Sequence, residues 1–158
     1  MTTLTFAVRG LPAPQGSKRH IGRGVMVESS KRVKPWREAV RTEASIAMTL
    51  AGLARFDGPL VLEVTFYFDR PRSHYRTGKN AHLLRDGAPA APASVPDLSK
   101  LVRSTEDALT DAGVWVDDSR VVLLLAGKRY TGSNRTGMPT PGAEVRVRAL
   151  VDAVEVAA

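Results

Sequence analysis

The chain contains no cysteine, which excludes disulfides, thiolate metal sites and a cysteine nucleophile at once. Histidine is almost as scarce. His20, His74 and His82 are the only three, and none has the spacing of a zinc site. Long apolar runs are missing too: the longest, Val121 to Ala126, falls far short of the roughly 20 residues that a membrane-crossing helix needs. Met1 to Val8 holds no basic segment followed by a long apolar core. No secretory signal and no membrane partner are therefore expected, and a cytoplasmic location is the default.

What is present is positive charge. Lys and Arg number 23 against 16 Asp and Glu, a formal net charge of +7 over 158 residues. The hydrophobic fraction of 43% and charged fraction of 25% are those of a globular chain, and the length suits one domain with a real core. A basic surplus of this size points to a polyanionic partner, although a basic balance also simply aids solubility. Its distribution decides. Arg9, Lys18, Arg19, Arg23, Lys31, Arg32, Lys34, Arg37 and Arg41 crowd the amino-terminal end, against only Glu28 and Glu38. As a cluster, Lys18, Arg19, Arg23, Lys31, Arg32 and Lys34 are expected to contact a nucleic-acid backbone. Such contacts give affinity that falls steeply with salt and carries little sequence information.

Periodicity orders the elements. Leu4 to Val8 alternates as a strand, and Gly10 to Lys18, with Pro12, Pro14 and Gly16, must be loop. Trp36, Ala39, Val40, Ala44, Ala47, Met48 and Ala51 recur at helical spacing over Lys34 to Leu53. Leu60 to Phe68 is the clearest strand, rich in β-branched and aromatic residues. From Arg70 to Pro96 no period is visible, so a long loop is expected there, either functional or disordered. Its His74, Tyr75, Arg76 and Lys79 offer a second surface for nucleic acid. A helix then runs from Asp97 to about Asp111, and strands follow at Arg120 to Tyr130 and Glu144 to Val156. The β-α-β-α-β-β order predicts a single α+β domain over residues 1–158: a mixed sheet with helices packed on one face, its last two strands forming a long hairpin.

Two acidic segments stand out against this basic background. Asp97 follows Pro96 and opens the second helix, where it can act as an N-cap. Asp117-Asp118 precedes the next strand, where it can serve as a polar turn. Taken together they suggest more. If the strand lies alongside the helix, Asp97 and Asp118 converge, and carboxylates converging in a basic protein need a compensating cation. Mg²⁺ suits hard oxygen ligands and phosphate substrates.

These residues carry a resemblance. Asp97-Leu98-x-Lys100-Leu101-x-Arg103, Asp107-Ala108-Leu109-Thr110 and Gly113-Val114-Trp115-x-Asp117-Asp118-x-x-Val121 are similar to the signature of RusA-like endodeoxyribonucleases. So are the basic loop Gly10-x-Pro12-x-Pro14-Gln15-Gly16-Ser17-Lys18-Arg19 and Pro35-Trp36-Arg37. The similarity covers roughly residues 4 to 150. It implies a homodimer that nicks opposed strands of a four-way DNA junction with Mg²⁺ (Mn²⁺ being the alternative ion). By the same resemblance Asp97 matches the first family aspartate and Asp118 the last, with Asp117 beside it. Arg103 falls where the family has a basic residue, often lysine.

One departure matters: Ser99 stands where the family has its second helix aspartate. Glu106 lies seven residues on, about 20° away on a helical wheel and roughly 10 Å along the axis. It either supplies the missing carboxylate or forms an (i, i+3) pair with Arg103. The expected metal set is Asp97, Asp117, Asp118 and Glu106. Arg103 or Lys100 would stabilise charge on the phosphoryl group, Arg103 having the alternative of an (i, i+4) pair with Asp107. The rival reading is a catalytically impaired, structure-selective DNA-binding protein of the same fold, its metal chemistry lost through Ser99. A second rival is an RNA-binding protein in which the carboxylates merely cap and solvate.

Overall fold

The computed structural model describes residues 2–16, 18–20, 22–23, 26–28 and 31–151, with the backbone alone for 18–20 and 26–28. The strands are β1 (Thr3–Arg9), β2 (Lys18–His20), β3 (Met26–Glu28), β4 (Leu60–Phe68), β5 (Val121–Tyr130) and β6 (Gly142–Ala149). The helices are α1 (Val33–Ala51) and α2 (Leu98–Asp111). Four strands form a mixed sheet in the order β1-β6-β4-β5, and β2 and β3 pair as a separate small hairpin. The α+β class and the element order match the sequence reading, which had no signal for the short hairpin.

The last two strands are not a hairpin. β4 lies between them, pairing antiparallel with β6 on one edge and parallel with β5 on the other. The reason is burial: Leu60, Val61, Leu62, Val64, Phe66 and Tyr67 of β4 are all inaccessible or nearly so, and a strand this apolar is best placed centrally. The connection from β5 to β6 has only to cross one intervening strand, roughly 10 Å at about 4.8 Å per strand spacing. Thr131 holds it over the end of β4 by donating its N–H to Phe68 O at 2.9 Å.

Cross-strand rows explain why the helices share one face. Leu4, Val147, Leu62 and Leu124 lie side by side, followed by Phe6, Val145, Val64 and Ala126. Most of these join the core cluster with Trp36, Val40, Ala44 and Met48 of α1 and Leu101, Val102, Ala108 and Leu109 of α2. The opposite face is polar, with Glu63 between Arg146 and Arg148. α1 ends where Gly52 takes a left-handed conformation at φ 64, and Gly113 at φ 75 turns the chain after α2.

Buried hydrogen bonds lock α2 in place. Trp36 Nε1 donates to Thr105 Oγ1 at 3.2 Å, and Thr105 Oγ1 donates to Leu101 O at 2.9 Å. Ser104 Oγ donates to Ala13 O at 2.6 Å, and Gln15 N to Lys100 O at 2.9 Å. The proline-containing loop after β1 is thereby tied to the first half of α2. The long segment 70–96 is likewise ordered through its own contacts. Arg70 lies over the Tyr130 ring at 4.0 Å and donates to Pro89 O at 2.7 Å. Arg76 Nε and Arg85 Nε donate to Leu84 O and Tyr75 O, so these arginines are partly engaged within the loop.

Thr105→Val keeps the side-chain shape but leaves buried Trp36 Nε1 without its acceptor. We expect a loss of about 1–3 kcal/mol, the cost of one unsatisfied buried donor. A lower urea midpoint with an unchanged slope, followed by tryptophan fluorescence, is the check.

Candidate active site

Four acids and two cations of α2 and the turn after it form the candidate site. Asp97 occupies the N-cap of α2, yet its carboxylate makes no capping hydrogen bond. Its Oδ2 lies 3.4 Å from Lys100 Nζ, with both side chains more than half exposed. Both residues line an open cleft of about 460 Å³ together with Leu11, Pro12, Arg32 and Phe68. The cap reading of Asp97 is thus excluded for its side chain; what the carboxylate has instead is a lysine.

Asp117 follows the turn reading. Its Oδ1 accepts the Ser119 N–H at 2.9 Å, closing a local Asx turn. The hydrogen bonds from Ser119 hold its carboxyl below the usual carboxylate range. Asp118 opens the following turn, Asp118–Arg120, and is exposed.

Glu106 is different. It is half-buried on α2, and its carboxyl is pushed up to about 7. Burial is the largest cause, followed by the negative charges of Asp118 and then Asp107, with Arg103 opposing. The negative charge of Asp118 is thus felt at Glu106 across the helix–turn junction and is only partly offset by Arg103. Arg103 has no ion-pair partner within 4.0 Å among the described residues, so neither pairing anticipated for it is made as a contact. Asp107 instead pairs with Arg37 at 3.7 Å, and Arg37 also reaches Asp111 at 2.8 Å.

Asp118 thus lies within electrostatic reach of Glu106, and the Asp97 carboxylate lies beside Lys100. Glu106 lies nine residues beyond Asp97, about 13 Å along the axis at ~1.5 Å per residue. Among the described residues no group of three or more His, Asp or Glu is placed to share a metal ion. A pair is nevertheless a sufficient protein contribution for Mg²⁺, which keeps several waters and takes one or two carboxylates plus substrate phosphate. The donor set of Glu106 and Asp118 fits that mode. Ser99 is exposed on the same face of α2.

The basic residues divide. Lys31, Arg32 and Lys34 are exposed at the start of α1, and Arg23 is exposed before β3. Lys18 and Arg19 belong to β2, but their side chains lie outside the described residues. Lys34, Arg37 and Arg41 share a cleft of about 560 Å³ with Asp107 and Asp111. Arg37 is one of the amino-terminal basic residues; its position directly after buried Trp36, which hydrogen-bonds to Thr105 of α2, is the signal that it faces that helix.

The sequence profile described as Endodeoxyribonuclease RusA matches residues 10–139 of the 158. The chain belongs to the RusA endodeoxyribonuclease family. The matched span begins at the loop tied to α2, contains both acidic segments and the basic start of α1, and ends in the β5–β6 connection. No curated protein sequence matches the chain. No helix among the described residues is long and apolar enough to cross a membrane.

The raised pKa has a stability sign. A folded-state value near 7 against an ordinary 4.5 means that the fold favours protonated Glu106. That contribution is complete below the ordinary value and is lost as pH rises through about 7. Glu106→Gln imitates the protonated form, so its Tm should equal that of the parent near pH 4 and exceed it increasingly up to pH 8. Asp118→Asn should move the Glu106 carboxyl, followed by NMR titration, back toward 4.5. A Tm difference that is flat across this range would dismiss the electrostatic coupling.

Proposed function

We propose that this protein is a divalent-metal-dependent endonuclease that hydrolyses phosphodiesters in branched DNA, four-way junctions included, as a homodimer in recombination and repair. The observation that supports the reading is the electrostatic coupling of half-buried Glu106 to Asp118 within a RusA family chain. Two carboxylates held against their mutual repulsion beside an exposed arginine suit a cation bridging protein and phosphate. Glu106 thereby takes the place of the acid that Ser99 does not provide.

The roles follow from position. Glu106 and Asp118 would hold Mg²⁺, or Mn²⁺ in its place. A bound divalent ion lowers the pKa of a coordinated water and offsets phosphate charge. Arg103, exposed and without an ion-pair partner within 4.0 Å among the described residues, would stabilise charge developing on the phosphoryl group. Lys100 would act beside Asp97 at the helix start, where Arg32 lines the same cleft. Asp97 and Asp117 would support the site: one restrains Lys100, and the other fixes the turn that presents Asp118. Lys18, Arg19, Arg23, Lys31, Arg32 and Lys34 would hold the DNA backbone, and no covalent nucleophile is required.

A second reading has an observation in its favour. Without an acid at Ser99, and with Asp97 on Lys100, the fold would bind junctions and not cut them. A labelled four-way junction with a Mg²⁺ and Mn²⁺ titration separates the two. The enzyme predicts metal-dependent nicking that Glu106→Gln or Asp118→Asn lowers by at least about 10²-fold, the scale of losing one charge-stabilising group. Junction affinity should survive both changes. Arg32→Ala should weaken binding and reduce its salt slope by about one. Intact junction at every metal concentration, with binding retained, would make the protein a non-catalytic binder.

A further inference from the structure

The segment between β4 and α2 is ordered without sharing in the core. No residue from 70 to 96 belongs to the core cluster, and Arg76 to Gly87 are all exposed. Polar contacts fix it instead. Tyr75 and Leu84 form an antiparallel bridge, while Arg76 N donates to Leu83 O at 2.8 Å and Arg85 N to His74 O at 2.9 Å. Residues 74–85 thus make a short hairpin. Its foot rests on the end of β5, where His74 meets the Tyr130 ring edge-on at 5.8 Å. Lys128 Nζ secures the far end of the segment by donating to Ser94 O at 2.7 Å and Pro96 O at 3.0 Å. An exposed hairpin held in this way gives up little conformational freedom when it binds.

Its chemistry indicates what it binds. Between residues 70 and 87 the cations Arg70, Arg72, Arg76, Lys79 and Arg85 stand against one acid, Asp86. Arg76 already pairs with that acid at 3.4 Å, and Arg72 and Lys79 have no ion-pair partner among the described residues. Arg72 and Arg76 line a cleft of about 400 Å³ with the hydroxyl-bearing Ser73, Tyr75 and Thr77, donors of the kind that hold phosphate oxygens. Amid this charge Leu83 and Leu84 are 41% and 42% exposed. Phosphates alone offer the leucines nothing. A base stack opened at a branch offers an apolar face bordered by phosphates, and proteins hold such openings with apolar side chains placed at base steps. Continuous duplex presents that face only at its ends.

We infer that this hairpin reads the branch: Arg72 and Lys79 hold phosphates of one arm, and Leu83 and Leu84 lie against bases unstacked at the crossover. Phe68 and Pro96, which flank the segment, line the same cleft as Arg32, Asp97 and Lys100, so the hairpin stands beside the start of α2. His74 and Arg76, expected to touch nucleic acid, serve to build the hairpin through Tyr130 and Leu84 O. The inference deepens the proposed function and rests on it for branched DNA as substrate. What it adds is the element that tells a branch from linear duplex.

Binding in EDTA, where no metal-dependent cut occurs, tests it. A four-way junction with 2-aminopurine at the crossover should brighten when the parent protein binds, because unstacking relieves quenching. Leu83→Ser with Leu84→Ser should abolish that rise at saturation and weaken junction binding about tenfold, the scale of one lost stacking contact, with duplex affinity unchanged. Leu83→Lys with Leu84→Lys should also abolish the rise while strengthening duplex binding. Leu50→Ser, at a position 84% exposed on α1, should match the parent throughout. Arg72→Ala and Lys79→Ala should each weaken junction and duplex alike and lower the salt slope by about one. A crossover that stays dark with the parent, leucine variants that weaken both DNAs equally or neither, or salt slopes indifferent to both cation variants would overturn the inference. Nicking in Mg²⁺ is read separately. A dark crossover in a protein that nicks would remove the hairpin's role alone, and a bright crossover without nicking would remove the nuclease alone.

Discussion

The clasp between α1 and α2 fixes everything that the candidate site uses. Trp36 of α1 donates to Thr105 of α2, Thr105 donates back to Leu101, and Ser104 holds Ala13 of the loop after β1. All of these groups are buried, where a hydrogen bond is costly to leave unmade. Because Ser104 and Thr105 bind inward, their neighbours Arg103 and Glu106 are turned to the outer side of the helix. Rotation of α2 by one residue would take Glu106 from Asp118 and expose the two hydroxyl groups together. A pair of buried hydroxyls thus orients a pair of surface charges.

That orientation carries an electrostatic cost. Glu106 is half-buried near two other acids, and two cations of the same region are engaged elsewhere: Arg37 binds Asp107 and Asp111, and Lys100 binds Asp97. Arg103 opposes the shift without contact. A fold selected for stability alone would close an ion pair on Glu106. Leaving the position to be neutralised by a proton near pH 7, or by an ion and its phosphate, is the arrangement in which perturbed acids mark function.

Much of the architecture was legible because it is local. The β-branched and aromatic run of Leu60 to Phe68 and the 3.6-residue recurrence from Trp36 to Ala51 fall within about a residue or two of the observed β4 and α1. Glu106 could be placed on the Ser99 face from the wheel alone. Its partner could not, since the return of Asp118 to the level of Glu106 depends on how Gly113 and the turn at Asp118–Arg120 fold against α2. Sequence gives the angle around a helix, and the tertiary turn decides which side chains of the next segment approach it. The β5–β6 hairpin failed on a competition that short-range pattern does not express, namely which strand claims both edges of β4.

The apolar run from Val121 to Ala126 had a signal of its own. It is too short for a membrane and too uniformly apolar for the half-solvated strand that the rest of the sheet leads one to expect. Among the described residues β4 covers only one edge of β5, and the helices cover only part of one face. Among the described residues nothing covers Val122, Leu123, Leu124 and Leu125, which stay 43% to 57% exposed, and acid before the strand gives way to base at its end, Asp117 and Asp118 to Lys128 and Arg129. The candidate site sits at the acidic end of that gradient.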